Sequence, residues 1–307
     1  MCAGQHRSIG YSELNFMNGL LIVNKPAGMT SHDVVATVRR LTGESSVGHL
    51  GTLDPMATGV LPLLLGRFTR LAQFFKQDSK RYAGTIRFGF ATDTYDAEGE
   101  AVGACVDPQL TLEEIRAIAR LYRGEIDQTP PPFSAKKSGG VPAYKLARQG
   151  KPVVLRPVRI AIHRFEISVY NAPNAGFTLE VSSGSYVRSI AHEMGKLAGC
   201  GAHLASLCRE QAGEFTLDQA ATLEEIAAWQ NDNALVQRLP HPRLLLPQMP
   251  AVTVDENMAS RLKNGMACNL SEYSNAPFVK VFTSQRELFA IGRRIAGTLI
   301  QPTAVLG

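Results

Sequence analysis

The feature that most constrains this chain is a glycine-rich segment, residues 48–59, which reads GHLGTLDPMATG. Its three glycines permit backbone conformations that other residues adopt only at a cost, and they allow a ligand to approach the main chain closely. The segment therefore predicts an irregular loop beside a binding cleft, and not a regular helix or strand.

Asp54 lies within this loop, with the apolar residues Leu53 and Met56 close to it in sequence. A carboxylate in apolar surroundings is poorly solvated unless it has a partner, which suits a nucleophile or a general base. An aspartate before a proline also stabilises turns through its own backbone. Composition alone leaves both interpretations open.

Helix and strand patterns follow one another irregularly along the chain. A threonine followed three residues later by an acidic residue predicts a helix start, and such pairs occur at Thr30/Asp33, Thr111/Glu114 and Thr222/Glu225. Another helix is predicted over 186–197. Apolar patterns predict strands at 19–23, 82–90, 158–167, 177–182 and 203–209. Because the elements lack a regular β-α-β alternation, the sequence predicts the α+β class.

Prolines predict the division of the chain into domains. Four of them interrupt the sequence at Pro240, Pro242, Pro247 and Pro250. We therefore predict a disordered tail over 1–18, a large domain over 19–245 and a small, mostly β module over 251–307.

Composition excludes several classes of protein. The five cysteines are an odd number and form no C-x-x-C pair, which argues against a disulfide framework or a structural zinc site. The sequence has no apolar run near the ~20 residues that span a bilayer and no apolar signal region, so it predicts a cytoplasmic protein without a membrane partner. The net charge of +5 is compatible with a nucleic-acid partner.

Basic residues concentrate in one stretch, 131–165, which contains no aspartate or glutamate. Its eight cations are Lys136, Lys137, Lys145, Arg148, Lys151, Arg156, Arg159 and Arg164. Such a stretch predicts a surface that follows nucleic-acid phosphates, with a solvated basic face as the alternative.

The acidic segment 93–100 resembles a calcium loop only superficially. A calcium loop of the EF-hand type needs oxygen ligands at its first, third and fifth positions and glycine at its sixth. Asp93, Asp96 and Glu98 do not have that spacing. The segment therefore predicts the turn of a β-hairpin.

Residues 48–59 also resemble the pattern G-H-x-G-x-L-D-P-x-A-x-G of TruB-type pseudouridine synthases. Other family-like segments occur in the family's order: NKPAGMTS (24–31), KRY (80–82), SAKK (134–137), ARQG (147–150), GSYVRSI (184–190) and LCR (207–209). The resemblance covers 20–307, and 251–307 are similar to a PUA domain. It implies the pseudouridine synthase fold, with a central mixed, mainly antiparallel sheet carrying the cleft and a small C-terminal barrel.

The resemblance also implies site residues and a reaction. Asp54 would be the catalytic carboxylate, Tyr82 would lie beside the target base and Arg188 would pair with Asp54. The residues implied to bind RNA are His49, Lys25, Lys137, Tyr186, Leu207 and Arg148. The implied reaction converts the T-loop uridine at position 55 of tRNA to pseudouridine, without a cofactor or an obligate protein partner, in a monomer.

The chemistry of this reaction agrees with the residues. Isomerisation breaks an N–C glycosidic bond and forms a C–C bond to the same ribose, so it needs no redox partner. An aspartate-based hydrolase is the less favoured interpretation, because the sequence shows no second carboxylate near the first, as glycosidases need. A non-catalytic RNA-binding protein or tRNA-folding chaperone on the same scaffold remains the alternative.

Overall fold

The computed structural model describes residues 17–75 and 79–307, so most of the predicted N-terminal tail lies outside the described residues. The strands before the proline-rich region are β1 (Gly19–Lys25), β2 (Val47–His49), β3 (Thr58–Leu65), β4 (Lys80–Phe88), β5 (Ala91–Thr92), β6 (Ala101–Val102), β7 (Gly124–Gln128), β8 (Lys137–Ser138), β9 (Val141–Pro142), β10 (Val158–Asn171), β11 (Asn174–Val181), β12 (Ala202–Ala212) and β13 (Phe215–Thr216). Five further strands follow: β14 (Ala251–Thr253), β15 (Cys268–Asn269), β16 (Phe278–Phe282), β17 (Leu288–Ala296) and β18 (Leu299–Val305).

The helices are α1 (Ser31–Thr42), α2 (Leu112–Arg120), α3 (Ala143–Ala147), α4 (Val187–Leu197), α5 (Leu223–Asn231), α6 (Leu235–Arg238) and α7 (Glu256–Lys263). 3-10 helices occur at Gly66–Phe74, Leu217–Gln219 and Pro242–Leu244. The three predicted capping boxes form at the starts of α1, α2 and α5. Within the described ranges, no helix is long and apolar enough to cross a bilayer.

The large sheet has the strand order β1-β3-β12-β4-β11-β10-β7, with β2 added to β3 and β13 added to β12. All of these pairs are antiparallel except β3 with β12. The prediction of an α+β fold built on a mixed, mainly antiparallel sheet is confirmed. Its central strands β4 and β12 carry Tyr82 and Leu207, two of the predicted site residues.

The second sheet forms a half-barrel of order β14-β16-β17-β18-β15. Its interior is apolar and includes Val279, Val281 and Ile300, against which α7 contributes Leu262. The sequence 251–307 is therefore mostly β, as its pattern predicts.

One apolar cluster connects the two sheets. It contains Leu20 and Leu64 from the large sheet, together with Phe282 from the second sheet and Leu306, which directly follows β18. Arg67 strengthens this junction, because its Nη1 donates to the carbonyl oxygen of Leu306 at 2.8 Å.

Candidate active site

The loop of Asp54 connects β2 to β3, and its shape depends on glycine. Gly51 has φ +123° and Gly59 has φ +99°, both in the region that favours glycine. A Cβ on Gly59 would collide with the backbone of Arg209. Gly59 therefore allows β3, which the loop enters, to lie close against Arg209 of the neighbouring strand β12.

Two buried basic side chains, those of Lys25 and Arg209, bind backbone carbonyl groups of the loop. Lys25 is completely buried, and its Nζ donates to the carbonyl oxygens of Pro26 (2.8 Å), Met29 (2.6 Å) and Pro55 (3.1 Å). Arg209 is 1% exposed and donates through Nη2 to the carbonyl oxygen of Gly51 at 3.0 Å. These bonds fix the backbone on both sides of Asp54.

Lys25 was predicted to bind RNA, and that role stays a prediction. In this structure its ammonium group has no exposed surface, and its donors serve internal carbonyl oxygens. Burial also lowers the pKa of Lys25, although Asp54 opposes that shift. Lys25 is therefore better described as a residue that positions the loop.

The first residue of α1 holds the other side of the loop. The Ser31 hydroxyl accepts a hydrogen bond from the Leu53 amide at 2.9 Å and donates to the Leu53 carbonyl oxygen at 3.1 Å. Because Leu53 immediately precedes Asp54, α1 fixes the direction from which the carboxylate enters the cleft.

Asp54 is paired with Arg188, which lies in the first turn of α4. The distance from Arg188 Nη2 to Asp54 Oδ1 is 2.8 Å, and the arginine side chain is buried. Arg188 also donates to the carbonyl oxygens of Thr94 and Phe133, each at 3.1 Å. Its Nη1 lies 3.3 Å from Oδ2 of Asp96, a second and buried carboxylate.

Asp54 is poorly solvated even with this partner. Burial raises its pKa, Arg188 lowers it, and the nearby Asp96 raises it again. One third of the Asp54 side chain remains exposed, so the carboxylate faces the cleft. A carboxylate that is desolvated, oriented and open on one side has the properties of a catalytic group.

Asp54 opens into a cavity of about 270 Å³. The cavity is lined by Thr52, Leu53, Asp54, Tyr82, Phe133, Ser134, Ala135, Tyr144, Ser185, Tyr186, Val187, Arg188 and Leu207. The structure therefore brings together five of the predicted site residues: Asp54, Tyr82, Arg188, Tyr186 and Leu207. Tyr186 is fixed by its backbone, which exchanges two hydrogen bonds with the Gln128 side chain at 2.7 and 3.0 Å.

His49, Lys137 and Arg148 do not line this cavity. His49 lies on β2, where its Nδ1 accepts a hydrogen bond from the Gly51 amide at 3.3 Å. Burial lowers the pKa of His49, which favours the neutral ring. Lys137 is exposed on β8, and Arg148 lies over the Tyr144 ring at 5.7 Å from its centroid. Arg148 thus contacts an aromatic residue of the cavity wall.

Among the residues of the site that sequence reasoning missed are Asp96, the second partner of Arg188, and Tyr144 in the cavity wall. The hairpin predicted around the acidic segment is present, since β5 pairs with β6. Asp96, however, turns inward to Arg188, while Thr94 Oγ1 and the Glu98 amide donate to its Oδ1 at 2.6 and 3.1 Å. Its acidity was visible in the sequence, but the partner 92 residues away was not.

The basic stretch 131–165 is less uniform than its sequence indicates. Arg159 on β10 forms ion pairs with Glu125 (3.1 Å) and Asp127 (3.5 Å) on β7. Arg164 pairs with Glu166 at 2.7 Å. The other six cations have no ion pair with any residue in the described part of the chain. The candidate RNA surface therefore narrows to 136–156.

A larger hollow of about 630 Å³ exists elsewhere, between α2 and strands of the large sheet. It contains none of the predicted site residues, and several of its arginines are already paired, as Arg81 is with Glu210 at 3.1 Å. The smaller cavity, which contains Asp54 and four other predicted site residues, is therefore the better candidate for the active site.

Two family models match consecutive parts of the chain. Residues 39–187 match the model of the TruB family pseudouridylate synthase N-terminal domain, and residues 188–248 match the tRNA pseudouridylate synthase B C-terminal domain. The tRNA pseudouridine synthase B of Solibacter usitatus is 43% identical over 293 residues, covering 94% of this chain and 100% of that protein. The protein of the same name from Geotalea uraniireducens is 40% identical over 84% of this chain and 83% of its own.

A solved structure shows a similar fold. The H/ACA ribonucleoprotein bound to a substrate RNA containing 2'-deoxyuridine includes a chain that superimposes with a TM-score of 0.69. The alignment covers 96% of this chain and 87% of that chain at 22% sequence identity. At this identity the similarity concerns the fold alone.

Proposed function

This chain belongs to the TruB family of pseudouridylate synthases and acts on tRNA, and we propose that its target is the T-loop uridine at position 55, with Asp54 as the catalytic carboxylate. The observation that carries the proposal is the 2.8 Å contact between Asp54 and the buried Arg188 at the wall of a base-sized cavity. A protein that only binds a polyanion gains nothing from a desolvated carboxylate facing its ligand.

The reaction rearranges one nucleotide, so no metal, redox or nucleotide cofactor enters the proposal. The uracil first leaves the stacked RNA, which costs a few kcal/mol. It then lies against Tyr82 and Leu207, which are mostly buried and form part of the cavity wall. Asp54 acts by adding to the base, by adding to the ribose, or by assisting departure of the base from the ribose. Each route requires the ionised carboxylate.

The other residues have supporting roles in the proposal. Arg188 keeps Asp54 ionised and oriented, because an opposite charge within a few ångströms favours the carboxylate. Tyr186 completes the wall of the cavity. His49, as a neutral ring, contacts the RNA near the position in the base stack that the flipped uracil has left. Lys137 and Arg148 bind phosphates outside the cavity. We assign Lys25 to positioning of the loop.

The wider assignment follows from the same proposal. The enzyme works in the cytoplasm as a monomer on the T arm of tRNA. Residues 19–245 form the catalytic domain, and 251–307 form a PUA-like module that contacts RNA away from the reacting base.

The test compares Asp54→Asn with the wild type on an unmodified tRNA transcript, followed by mapping of pseudouridine. We expect the rate to fall by ~10⁴-fold or more, as for the loss of a nucleophile, while tRNA affinity stays within a few-fold. Asp232→Asn, a change at an exposed carboxylate that ends α5, is the matched control and should retain wild-type turnover.

Two outcomes would contradict the proposal. Turnover of Asp54→Asn within tenfold of the wild type would exclude Asp54 as the catalytic carboxylate. Pseudouridine at another position, with uridine 55 unmodified, would exclude the proposed target.

A further inference from the structure

The loop between β5 and β6, residues 93–100, shares Arg188 with Asp54. Arg188 Nη1 bonds two groups of this loop, the Thr94 carbonyl oxygen at 3.1 Å and Asp96 Oδ2 at 3.3 Å. The position of the loop therefore sets two of the contacts that orient the guanidinium group. Contacts that hold the loop in place therefore also influence Asp54, because they act on the arginine that pairs with it.

Tyr95, which separates Thr94 from Asp96, has an unusual backbone conformation. Its φ is +67°, in the left-handed region that a bulky residue rarely adopts. With Tyr95 in this conformation, the residues on either side of it both face Arg188, Thr94 through its carbonyl group and Asp96 through its side chain. A strained residue of this kind persists only where its surroundings fix it.

The Tyr95 side chain supplies such a contact. Its ring lies parallel to that of His192, with an interplanar angle of 10° and a centroid separation of 3.6 Å. His192 follows Arg188 by four residues on α4, so both side chains project from one face of the helix. A single face of α4 thus holds the loop at two points, by charge at Arg188 and by ring stacking at His192.

The opposite side of the loop is attached to β12. The Leu204 amide donates to the Tyr95 carbonyl oxygen at 3.0 Å, and the Ala97 amide donates to the Leu204 carbonyl oxygen at the same distance. These bonds fix the loop along the sheet but do not determine how closely it approaches α4. The approach to α4 is set by the stacked rings together with the contacts of Arg188.

We propose that Tyr95 and His192 are positioning residues of the reaction, and that their stacking places Asp96 and Thr94 so that Arg188 is correctly shared with Asp54. The proposal rests on the proposed catalytic role of Asp54. Neither ring lines the cavity, so both act through Arg188 and not by touching the substrate.

The experiment uses the full-length protein and four substitutions. Tyr95→Asn removes the ring but suits the backbone, since asparagine tolerates positive φ better than most residues. Tyr95→Phe keeps the ring and removes only the hydroxyl group. His192→Ala removes the other ring. Glu193→Gln alters an exposed charge beside the stack and serves as the control; Lys196 is the other charged group near both rings.

For each variant, the single-turnover rate on tRNA is measured across pH, together with tRNA affinity and melting temperature. We expect Tyr95→Asn and His192→Ala to lower the rate by about 10- to 100-fold, the scale of a catalytic group displaced by about 1 Å, with affinity unchanged. As Asp96 moves away, the acid limb of the pH profile should shift to lower pH, because Asp54 loses a like-charged neighbour. Tyr95→Phe and Glu193→Gln should resemble the wild type in both respects.

A purely structural role predicts a different result. Loss of folded protein would lower the melting temperature and the active fraction without moving the acid limb, and that pattern in both ring-removing variants would overturn the proposal. Wild-type rates in Tyr95→Asn and His192→Ala would overturn it as well. If Asp54→Asn retains activity, the proposed function fails; if Asp54→Asn is inactive while the ring variants are normal, only the positioning role fails.

Discussion

At the residue scale, the site consists of one guanidinium group shared by two carboxylates. Arg188 contacts Asp54 at 2.8 Å and Asp96 at 3.3 Å, and both contacts are shielded from water on the arginine side. The second carboxylate weakens the stabilisation that Arg188 gives to ionised Asp54. Burial is the main cause that raises the pKa of Asp54, and the charge of Asp96 adds to it, so the pKa lies above its ordinary value although the residue forms an ion pair.

The first prediction concerns Asp96→Asn. Removing its charge should lower the pKa of Asp54, because a like charge nearby disfavours the ionised form. On the proposed role of Asp54, the acid limb of kcat/KM follows its ionisation and should therefore move to lower pH, while maximal activity falls because Arg188 is less firmly held. The pH dependence of kcat/KM checks this, and an acid limb that stays in place or moves to higher pH would contradict it.

A second prediction concerns stability and follows from the same pKa. Since folding raises the pKa of Asp54, its carboxyl group supports the fold most below the unfolded pKa of about 3.9, and this support is lost as pH rises through the folded value. Asp54→Asn should therefore raise the melting temperature at neutral pH, by a few degrees at ~2–4 °C per kcal/mol. Melting curves from pH 4 to 8 should show the gain shrinking in acid; a loss of stability at neutral pH would refute this reasoning.

At the element scale, strand pairing decides which basic residues are available to RNA. Residues 131–165 contain no acid, but the pairing of β10 with β7 places Arg159 opposite Asp127 and next to Glu125. Lys136 and Lys137, at the start of the β8–β9 hairpin, are exposed. The hairpin and α3 therefore form the candidate phosphate-binding element.

A third prediction tests this element by its salt dependence. The slope of log affinity against log salt changes by about 0.9 per phosphate contact on duplex. Lys136→Ala combined with Lys137→Ala should flatten the slope by up to about 1.8, equally for tRNAs of different sequence. Arg159→Ala is the matched control, because its charge is already paired, and should leave the slope unchanged. A wild-type slope in the double variant would show that this hairpin does not contact phosphates.

At the scale of the whole molecule, the two sheets share apolar surface. The cluster that contains Leu20, Leu64 and Phe68 also contains Phe282 and Leu306. Lys280 adds a polar connection, since its buried Nζ donates to the carbonyl oxygens of Arg243 and Leu245, each at 2.7 Å. Deletion of 251–307 would expose this surface, so substitutions test the proposed RNA contact of residues 251–307 more cleanly than truncation does.

The fourth prediction concerns the cooperativity of unfolding. Phe282 is completely buried in the shared cluster, and Phe→Ala substitutions in such positions cost about 3–5 kcal/mol. Because the cluster supports both sheets, Phe282→Ala should lower the melting temperature of a single transition, and activity should be lost in that same transition. Calorimetry that resolves two separate transitions, with activity following only the upper one, would show that the sheets unfold independently.

The sequence by itself determined the local structure, including the glycine-rich loop of Asp54. Capping threonines, glycine spacing and apolar alternation are local signals, so α1, β4, α4 and the loop around Asp54 were predictable from neighbouring residues. The motifs around Asp54, Tyr82 and Arg188 also indicated which side chains meet, because their resemblance to a family carries tertiary information.

Only the tertiary structure decided how charges are shared. Lys25 was predicted to bind RNA and is buried under the loop of Asp54, and Arg159 was counted in a basic stretch and is paired with Glu125 on β7. Asp96 was interpreted as a turn residue and proved to be a partner of Arg188. In each case the deciding contact joins residues distant in sequence or on separate strands, and whether a charge is solvated or paired depends on that contact and not on its neighbours along the chain.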